Sequence, residues 1–564
     1  MIDSISERLQ LKPLLAALLT LPALAAHAVG PVPGAGTILE QVQPVAPSAP
    51  AANNPVLKIE QPSSVVVLPA SVSFLVSHIE IAGNTKIETA TLHALVADAE
   101  GRNLTLPQLG ELALRLTDYY HAHGYPLARA IIPVQTLRSG IVKISIIEVR
   151  YGAIDLKNHS RSSDRLLQAT LGNLRDGDVV SQYAIDRSLL LLTDIPGVAV
   201  NAILQPGAAV GTSDLRIDTT ATPVVTGNIA LDNDGSRYTN RARLGATVNL
   251  IEPLHQGDIF SVSGLNSGSG MSYGSASYEA LLDGAGTRAG VTYSALDYKL
   301  LGPLAPLAVQ GSAQVASLRV KQPLILSRSL DFYGQLQYDY LHLNDDIDSS
   351  EIQTNRHLDN VTATLSGDSH DDLFAGAVNT WSASWTYGHV SFDNASAGLA
   401  DAVTANTQGG FSKGNLTLAR LQNFGVHDAL YLSLAGQWAS GNLDESQKLV
   451  VGGPNSVRAY DVGAVSGDSG YLFTFELRHM LQVSALGQWQ AVVFFDGGHL
   501  KVNRNSFSVG ANNANLSGVG VGLNWSGPNQ LSASATLAVP LGTTPEEIGS
   551  RASVRAWLQL DKAF

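Results

Sequence analysis

The sequence of 564 residues contains no cysteine and few charged side chains. The absence of cysteine excludes disulfide bonds and any thiolate metal site, and it suits an oxidising compartment. Charged residues form only 15% of the chain, against roughly a quarter in a typical soluble domain. The net charge of −13 argues against a general nucleic-acid binder, so we expect no nucleic acid among the partners.

Long apolar runs are also missing. Beyond the N-terminal segment, no stretch of about 18 apolar residues occurs, so the sequence predicts no membrane-spanning helix. A weakly charged chain of this kind must place its apolar residues either in a core or on the lipid-facing side of a barrel.

Catalytic and cofactor-binding motifs are absent as well. The sequence has no nucleotide-binding loop, no nucleophile elbow and no zinc-protease motif. His121 and His123 lie two residues apart on a predicted helix, where side chains do not face each other. The polar runs DNDG at 232–235 and NDDID at 344–348 lack calcium-loop spacing, and we interpret them as surface turns. The sequence therefore predicts no enzyme, no cofactor and no metal site.

The N-terminus has the pattern of a secretory signal peptide. Arg8 and Lys12 precede the apolar stretch LLAALLTLPALAA, and an A-x-A site ends at Ala28. We expect cleavage after Ala28, which makes residues 1–28 the signal peptide. A membrane anchor is the alternative, but the apolar stretch is short and is interrupted by Pro22.

Residues 29–73 are rich in Pro, Ala, Gly and Val, which is the composition of a linker. Within this linker, ILEQVQ predicts one short helix. The sequence leaves open whether this segment plugs a pore.

Two consecutive segments, 74–150 and 151–222, repeat one order of elements: strand, helix, helix, strand, strand. In the first segment, FLVSHIEIAG predicts a strand, and TLPQLGELALRLTDYYHAHG carries apolar residues at helical spacing. A repeat of roughly 75 residues predicts tandem α+β modules, each with its helices on one face of a small sheet.

From residue 223 to residue 564 the helical period gives way to strict alternation of apolar and polar residues. About sixteen such segments occur, with connections that alternate between short and long, as expected of a transmembrane barrel of antiparallel strands. The last segment, RASVRAWLQLDKAF, alternates in the same way except at Trp557. A soluble β-sandwich shows the same alternation, but strands of about 10–14 residues and a signal peptide favour the barrel.

This layout resembles the two-partner secretion transporters, the hemolysin secretion/activation group of the outer-membrane insertase superfamily. The matching stretches are IEIAGNT, GYPLARAIIPVQTLRSG, YAIDRSLLLLTDIPGV and VGGPNSVRAY. By the same resemblance, the two α+β modules are POTRA (polypeptide-transport-associated) domains. The resemblance covers essentially residues 74–564.

The resemblance implies that the sixth surface loop folds back into the barrel and forms a contact with the wall. The family's Val-Arg-Gly-Tyr motif is matched by four loop residues and its wall motif by three strand residues: Val457, Arg458, Ala459 and Tyr460, with Phe494, Asp496 and Gly498. Arg458 is implied to pair with Asp496 inside the lumen, the alternative being a solvated loop charge. Ala459 replaces the usual glycine, and it would strain the loop if that position required a positive φ.

Other residues are assigned by their position in the barrel. Four polar residues are expected to line the lumen wall, where the alternative for each is a merely wetted side chain: Arg241, Arg243, Glu476 and Arg478. Phe564, which ends the last strand, is implied to be the signal for insertion by the barrel assembly machinery. The alternative is an incidental strand end.

The implied function is an outer-membrane pore of a Gram-negative bacterium, with its POTRA modules in the periplasm. It would capture an unfolded exoprotein by β-augmentation and translocate it without ATP. The expected partners are a large, β-helical exoprotein, outer-membrane lipid and the barrel assembly machinery. One alternative is an assembly insertase, which usually carries more POTRA modules; another is a passive porin, which needs none. The identity of the cargo stays open between an adhesin, a cytolysin and a contact-dependent toxin.

Overall fold

The structure, a computed structural model, describes residues 32–42, 56–59, 73–136, 139–481, 486–548 and 551–564. The expected signal peptide over residues 1–28 lies outside these residues, as does most of the expected linker. Across the described ranges, no helix is both long and apolar enough to span a bilayer.

Two short elements belong to the linker: helix α1 (Ala35–Val42) and strand β1 (Val56–Ile59). The helix, which the sequence predicted around ILEQVQ, is almost fully buried, with Ala35 and Ile38 completely shielded from solvent. It packs against inward-facing residues of the barrel described below.

The first module combines a mixed sheet with two α-helices. Its elements are β2 (Ser73–Val76), β3 (His78–Ala82), α2 (Thr89–Ala94), a 3-10 turn (Ala97–Ala99), β4 (Arg102–Thr105), α3 (Leu106–Ala122), β5 (Arg129–Ile131) and β6 (Ile141–Ile147). The strand predicted over FLVSHIEIAG is divided at Ser77. There the chain leaves the β2–β4 pair and joins a second sheet in the order β3-β6-β5, with the Ser77 N–H donating to the Gly140 carbonyl at 2.7 Å.

Glu148, which follows β6, stabilises the end of this module through hydrogen bonds. Its buried carboxylate accepts hydrogen bonds from the N–H groups of Thr85 and Lys86 at 2.7 and 2.8 Å, from the Tyr120 hydroxyl at 2.8 Å and from the Thr85 hydroxyl. Burial alone would raise the pKa of Glu148, but these hydrogen bonds to the charged form outweigh it and lower the pKa.

The second module repeats the order of the first and gains one strand. Its elements are β7 (Arg150–His159), α4 (Asp164–Thr170), α5 (Gln182–Thr193), β8 (Val198–Pro206) and β9 (Thr212–Ala221). The sheet order is β1-β8-β9-β7, and β1 pairs with β8 in parallel. The linker therefore covers an edge of this sheet that would otherwise be exposed.

Sixteen antiparallel strands then close into a barrel. Its elements are β10 (Val225–Asp232), β11 (Arg243–Ile251), β12 (Ile259–Asn266), β13 (Met271–Leu281), β14 (Arg288–Lys299), β15 (Val309–Leu326), β16 (Leu330–Ile347), β17 (Ile352–Asp371), β18 (Ala377–Phe392), α6 (Ala395–Ala402), β19 (Gly409–Asn423), β20 (Asp428–Ala439), the hairpin β21 (Leu449–Val451) and β22 (Val465–Gly467), β23 (Ser469–Met480), β24 (Gln488–Lys501), β25 (Asn513–Ser526), β26 (Leu531–Pro540) and β27 (Arg555–Ala563). The predicted fold class, a barrel of about sixteen strands after α+β modules, is confirmed.

The barrel closes where β10 pairs with β27. At the end of this seam, Phe564 and Gly227 exchange two backbone hydrogen bonds of 3.0 Å each. The first short turn, which contains Glu252, contacts Ser162 of the second module, so the short turns face the modules and the longer connections lie at the far end.

The outer face of the barrel carries the predicted apolar alternation. On β23, Tyr471, Phe473, Phe475 and Leu477 are 37–52% exposed, and the residues between them point inward. Trp557, which interrupts the alternation of β27, is an inward residue that is only 4% exposed. The lumen next to it is therefore filled by protein and not by water.

We expect Glu148→Gln to lower the stability of the first module by about 1–3 kcal/mol at neutral pH, because the substitution removes a charged acceptor of several hydrogen bonds. Since the pKa of Glu148 is lowered on folding, its stabilisation is complete above the unfolded pKa of about 4.3. It is lost as the pH falls through the folded value. Hydrogen exchange of first-module amides in the full chain measures this. The exposed Glu111→Gln is the control, and an equal pH dependence in both variants would contradict the assignment.

Candidate functional site

Loop six, residues 440–468, is the sixth connection at the far end of the barrel, and it folds back into the lumen. Its residues Val457, Ala459 and Tyr460 are each 1% exposed. They form an apolar cluster with inward residues of the wall, among them Val492 and Phe494 of β24. The loop is thus packed as a core element and not as a surface loop.

Arg458 of loop six makes the central polar contact of this cluster. Its Nε and Nη2 donate to the two carboxylate oxygens of Asp496 at 2.8 and 2.7 Å, and its backbone N–H donates to the same carboxylate at 3.1 Å. Asp496 is completely buried. The paired geometry is the strong form of an arginine–carboxylate contact.

A second carboxylate completes the charge balance. Nη1 of Arg458 donates to Glu476 at 2.7 Å, and the other oxygen of Glu476 accepts from Nε and Nη2 of Arg478 at 2.8 and 2.7 Å. The Arg458 guanidinium also lies 3.4 Å from the ring centre of Phe494. Two arginines and two carboxylates therefore form one neutral, largely dry network.

The tip of loop six fits the wall because of a glycine. Ala459 does not adopt a positive φ, so the strain expected from alanine at this position is absent. Its methyl group fills space left by Gly518 of β25, where an added Cβ would lie 2.4 Å from the Ala459 Cβ. Gly498 plays a smaller part, since its Cβ would lie 3.8 Å from Val457.

Trp557 is a contact residue that the sequence did not identify. Its indole Nε1 donates to the Arg458 carbonyl at 2.8 Å. Arg458 is therefore bound twice, through its side chain by β24 and through its backbone by β27. The break in alternation at Trp557 was the available signal, because a large aromatic residue on an inward face requires a partner in the lumen.

The four predicted wall residues make three kinds of contact. Glu476 and Arg478 belong to the network around Arg458. Arg243 pairs with Asp232 at 2.7 Å, on the neighbouring strand. Arg241 precedes β11 and pairs with Asp461 of loop six at 2.7 Å, so it contacts the loop and is not a bare wall residue.

A second ion cluster joins loop six to α1. Arg356 of β17, which is 3% exposed, donates to Asp345, Asp444 and Glu445 at 2.7, 2.6 and 2.6 Å. Asp345 and Glu445 also accept hydrogen bonds from the first N–H groups of α1, at Ala35 (2.6 Å) and Gly34 (3.1 Å). Carboxylates at a helix N-terminus are favoured by the unpaired N–H groups there.

This cluster corrects the interpretation of NDDID as a surface turn. Residues 344–347 of that run lie within β16, and Asp345 points inward to α1. Arg356 was not recognised from the sequence either, because two of its partners, Asp444 and Glu445, lie on loop six, far away in the sequence.

A closed sixteen-strand barrel with an apolar outer face, α+β modules at one mouth and a loop fixed in its lumen defines an outer-membrane transport pore. The chain belongs to the haemolysin secretion/activation protein family ShlB/FhaC/HecB, whose family model matches residues 211–525, while residues 74–149 match the ShlB-type POTRA domain. It is therefore a two-partner secretion transporter of the Gram-negative outer membrane, with its POTRA modules in the periplasm. The resemblance seen in the sequence is confirmed.

Similar proteins span nearly the whole chain. The heme/hemopexin transporter protein HuxB of Haemophilus influenzae (strain 86-028NP) is 26% identical over 487 residues, which cover 85% of each chain. The outer membrane transporter CdiB of Escherichia coli is 26% identical over 83% of this chain and 79% of its own.

Solved structures share the fold. CdiB from Escherichia coli superposes with a TM-score of 0.72 at 22% identity, covering 89% of this chain and 93% of that chain. CdiB from Acinetobacter baumannii superposes with a TM-score of 0.62 at 17% identity, covering 92% and 95%.

Arg458→Ala is expected to lower the free energy of unfolding of the barrel by about 3–5 kcal/mol, because Asp496 would remain buried without its cation, while Glu476 would keep only Arg478. Heat-dependent gel mobility of the detergent-solubilised chain measures barrel unfolding. Arg420→Ala is the matched control: Arg420 pairs with Asp371, where both side chains are partly exposed, and a much smaller loss of stability is expected because exposed ion pairs contribute little. Equal losses of stability in the two variants would contradict the conclusion that Arg458 stabilises the barrel more than an exposed ion pair does.

Gly518→Ala is expected to destabilise the barrel by about 1–3 kcal/mol through overpacking against Ala459. Adding Ala459→Gly in the same chain should restore stability, because it removes the opposing methyl group. Gly522→Ala on the same strand is the control, since its Cβ would meet its nearest neighbour, Thr536 Oγ1, at an ordinary 3.4 Å. Absence of rescue in the double variant would show that loop six is not packed at this point.

Proposed function

We propose that the structure is the closed state of an exoprotein-secretion pore, and that an incoming exoprotein opens it by exchanging places with the chain's own strand β1. The parallel pairing of β1 with β8 carries the proposal. In β-augmentation, an extended peptide is bound through backbone hydrogen bonds at a free sheet edge. Here that edge is occupied by a segment of the transporter itself.

The register supports β8 as the capture edge. All four residues of β1 pair with consecutive residues of β8, from Asn201 to Leu204, and β8 extends to nine residues. In the first module, the edge strand β5 has three residues, and its outward N–H at Ala130 donates to the Thr117 hydroxyl at 3.0 Å. A short edge capped by a side chain is a protected edge.

The exchange would be transmitted along the chain to α1, which we propose to be the plug of the pore. Residues 43–55 connect β1 to α1, and α1 is bound to Asp345 and Glu445 in the lumen. Displacement of β1 removes the anchor that holds the linker at the second module, so that α1 becomes free to leave the lumen. Because Glu445 belongs to loop six, departure of α1 also removes two of that loop's contacts.

The individual partners that we propose are matched to particular surfaces of the chain. A large β-helical exoprotein suits strand exchange, because it supplies many extended segments in sequence. The exposed apolar belt is the contact surface for outer-membrane lipid. Phe564 lies at the closing seam, where the barrel assembly machinery would read it as the insertion signal. Transport would use no ATP, and folding of the cargo outside the cell would give it direction.

A deletion strain tests the function at the level of the cell. Loss of one large protein from the medium, with other outer-membrane barrels unchanged, is the expected result. A general loss of barrels from the outer membrane would instead favour the insertase alternative.

A reversible crosslink tests the exchange. Because the chain has no cysteine, Lys58→Cys with Ile203→Cys introduces the only thiols, on paired residues of β1 and β8. We expect the oxidised variant to block export, with recovery on reduction. The control pair, Ala199→Cys with Thr220→Cys, joins β8 to β9 within the module and should export in both states. Export with the β1–β8 crosslink intact would exclude strand exchange.

A further inference from the structure

Three side chains that are distant in sequence meet on the first POTRA module. His78 begins β3, His93 lies in α2 and Glu100 follows the 3-10 turn. Nδ1 of His78 lies 2.8 Å and Nε2 of His93 lies 3.0 Å from the same oxygen, Glu100 Oε1. One ligand atom from each residue lies within 4.8 Å of the other two.

The carboxylate of this cluster is fixed in place. Glu100 Oε1 also accepts a hydrogen bond from the Ile79 N–H at 2.8 Å. The carboxylate is therefore held in one position between a backbone donor and two imidazoles. All three side chains keep contact with solvent, which gives an ion access.

We propose that His78, His93 and Glu100 form a binding site for a divalent transition-metal ion, best matched by Zn²⁺. Two imidazole nitrogens and one carboxylate oxygen are a common zinc donor set, with water in the fourth position. Calcium and magnesium require mainly oxygen ligands and do not match it. To bind the metal, each imidazole would direct the lone pair of the nitrogen that now faces Glu100 at the ion and keep its proton on the other ring nitrogen.

The site would have a structural consequence for the module. Glu100 already covers the outward edge of β3 through the Ile79 N–H. A metal ion would join β3, α2 and the segment after the 3-10 turn, and it would hold this edge closed. The sequence predicted no metal site because the three residues match no metal-binding spacing, and only the fold brings them together. The inference does not rest on strand exchange at the second module.

Zinc binding to the detergent-solubilised full chain, purified without a histidine tag, tests the proposal. Competition with a chromophoric chelator should show one high-affinity Zn²⁺ per chain. His93→Ala and Glu100→Gln should each lower the affinity at least tenfold. His123→Ala, which removes another histidine of the same module, should leave it unchanged. Substitution with Co²⁺ should give the intense visible absorption of a four-coordinate site, and His93→Ala should abolish it.

His78→Ala addresses the alternative that a variant merely unfolds. The His78 side chain is 58% exposed, so this variant should keep the fold, as judged by hydrogen exchange of first-module amides, and should still lose zinc affinity. No zinc binding by the unmodified chain would overturn the proposal. So would equal binding by the His78, His93 and His123 variants, which would indicate adventitious surface histidines.

Discussion

The position of loop six in the lumen depends on the buried contact between Arg458 and Asp496. A charge removed from water is tolerated only when partners satisfy it, and breaking such a pair leaves an uncompensated buried ion. Here Asp496 is fully buried and receives three hydrogen bonds from Arg458. Loop six can therefore leave its position only if both groups are hydrated together. That requirement favours two discrete states, one dry and closed and one wet and open.

The ion cluster around Arg356 connects loop six to α1. Arg356 and Arg458 hold opposite parts of loop six, at Asp444 and Glu445 and at the loop tip. Glu445 also binds the N-terminus of α1. Opening thus involves three elements that share partners, and contacts that share partners are not independent of one another. In the strand exchange that we propose, the compensating interactions come from the cargo, because an exchanged strand forms the same kind of hydrogen bonds as the strand it replaces.

The sequence predicted the structure best for strand residues that face a uniform environment. Alternation identified the lipid-facing residues of β23, because lipid is uniformly apolar along the barrel. It placed Phe494 inward correctly but was interrupted at Trp557, since the inward face is wet at some positions and packed against loop six at others. The pairing of Arg458 with Asp496 followed from a resemblance and not from periodicity. Arg356, Gly518 and the histidine cluster were missed because each depends on contacts between distant segments.

The wall is also shaped for the loop. Gly518 leaves room for the Ala459 methyl, and Gly520 leaves room for the Phe494 ring, where an added Cβ would lie 2.3 Å from a ring carbon. Shape complementarity of this kind does not respond to hydration, whereas the ion network does. Loop six is therefore held by two constraints that fail for different reasons. Water entering the lumen weakens the attraction between the charges but leaves the packing of Ala459 and Phe494 in place, so hydration alone does not release the loop. In the opening that we propose, departure of α1 supplies the space into which the loop moves.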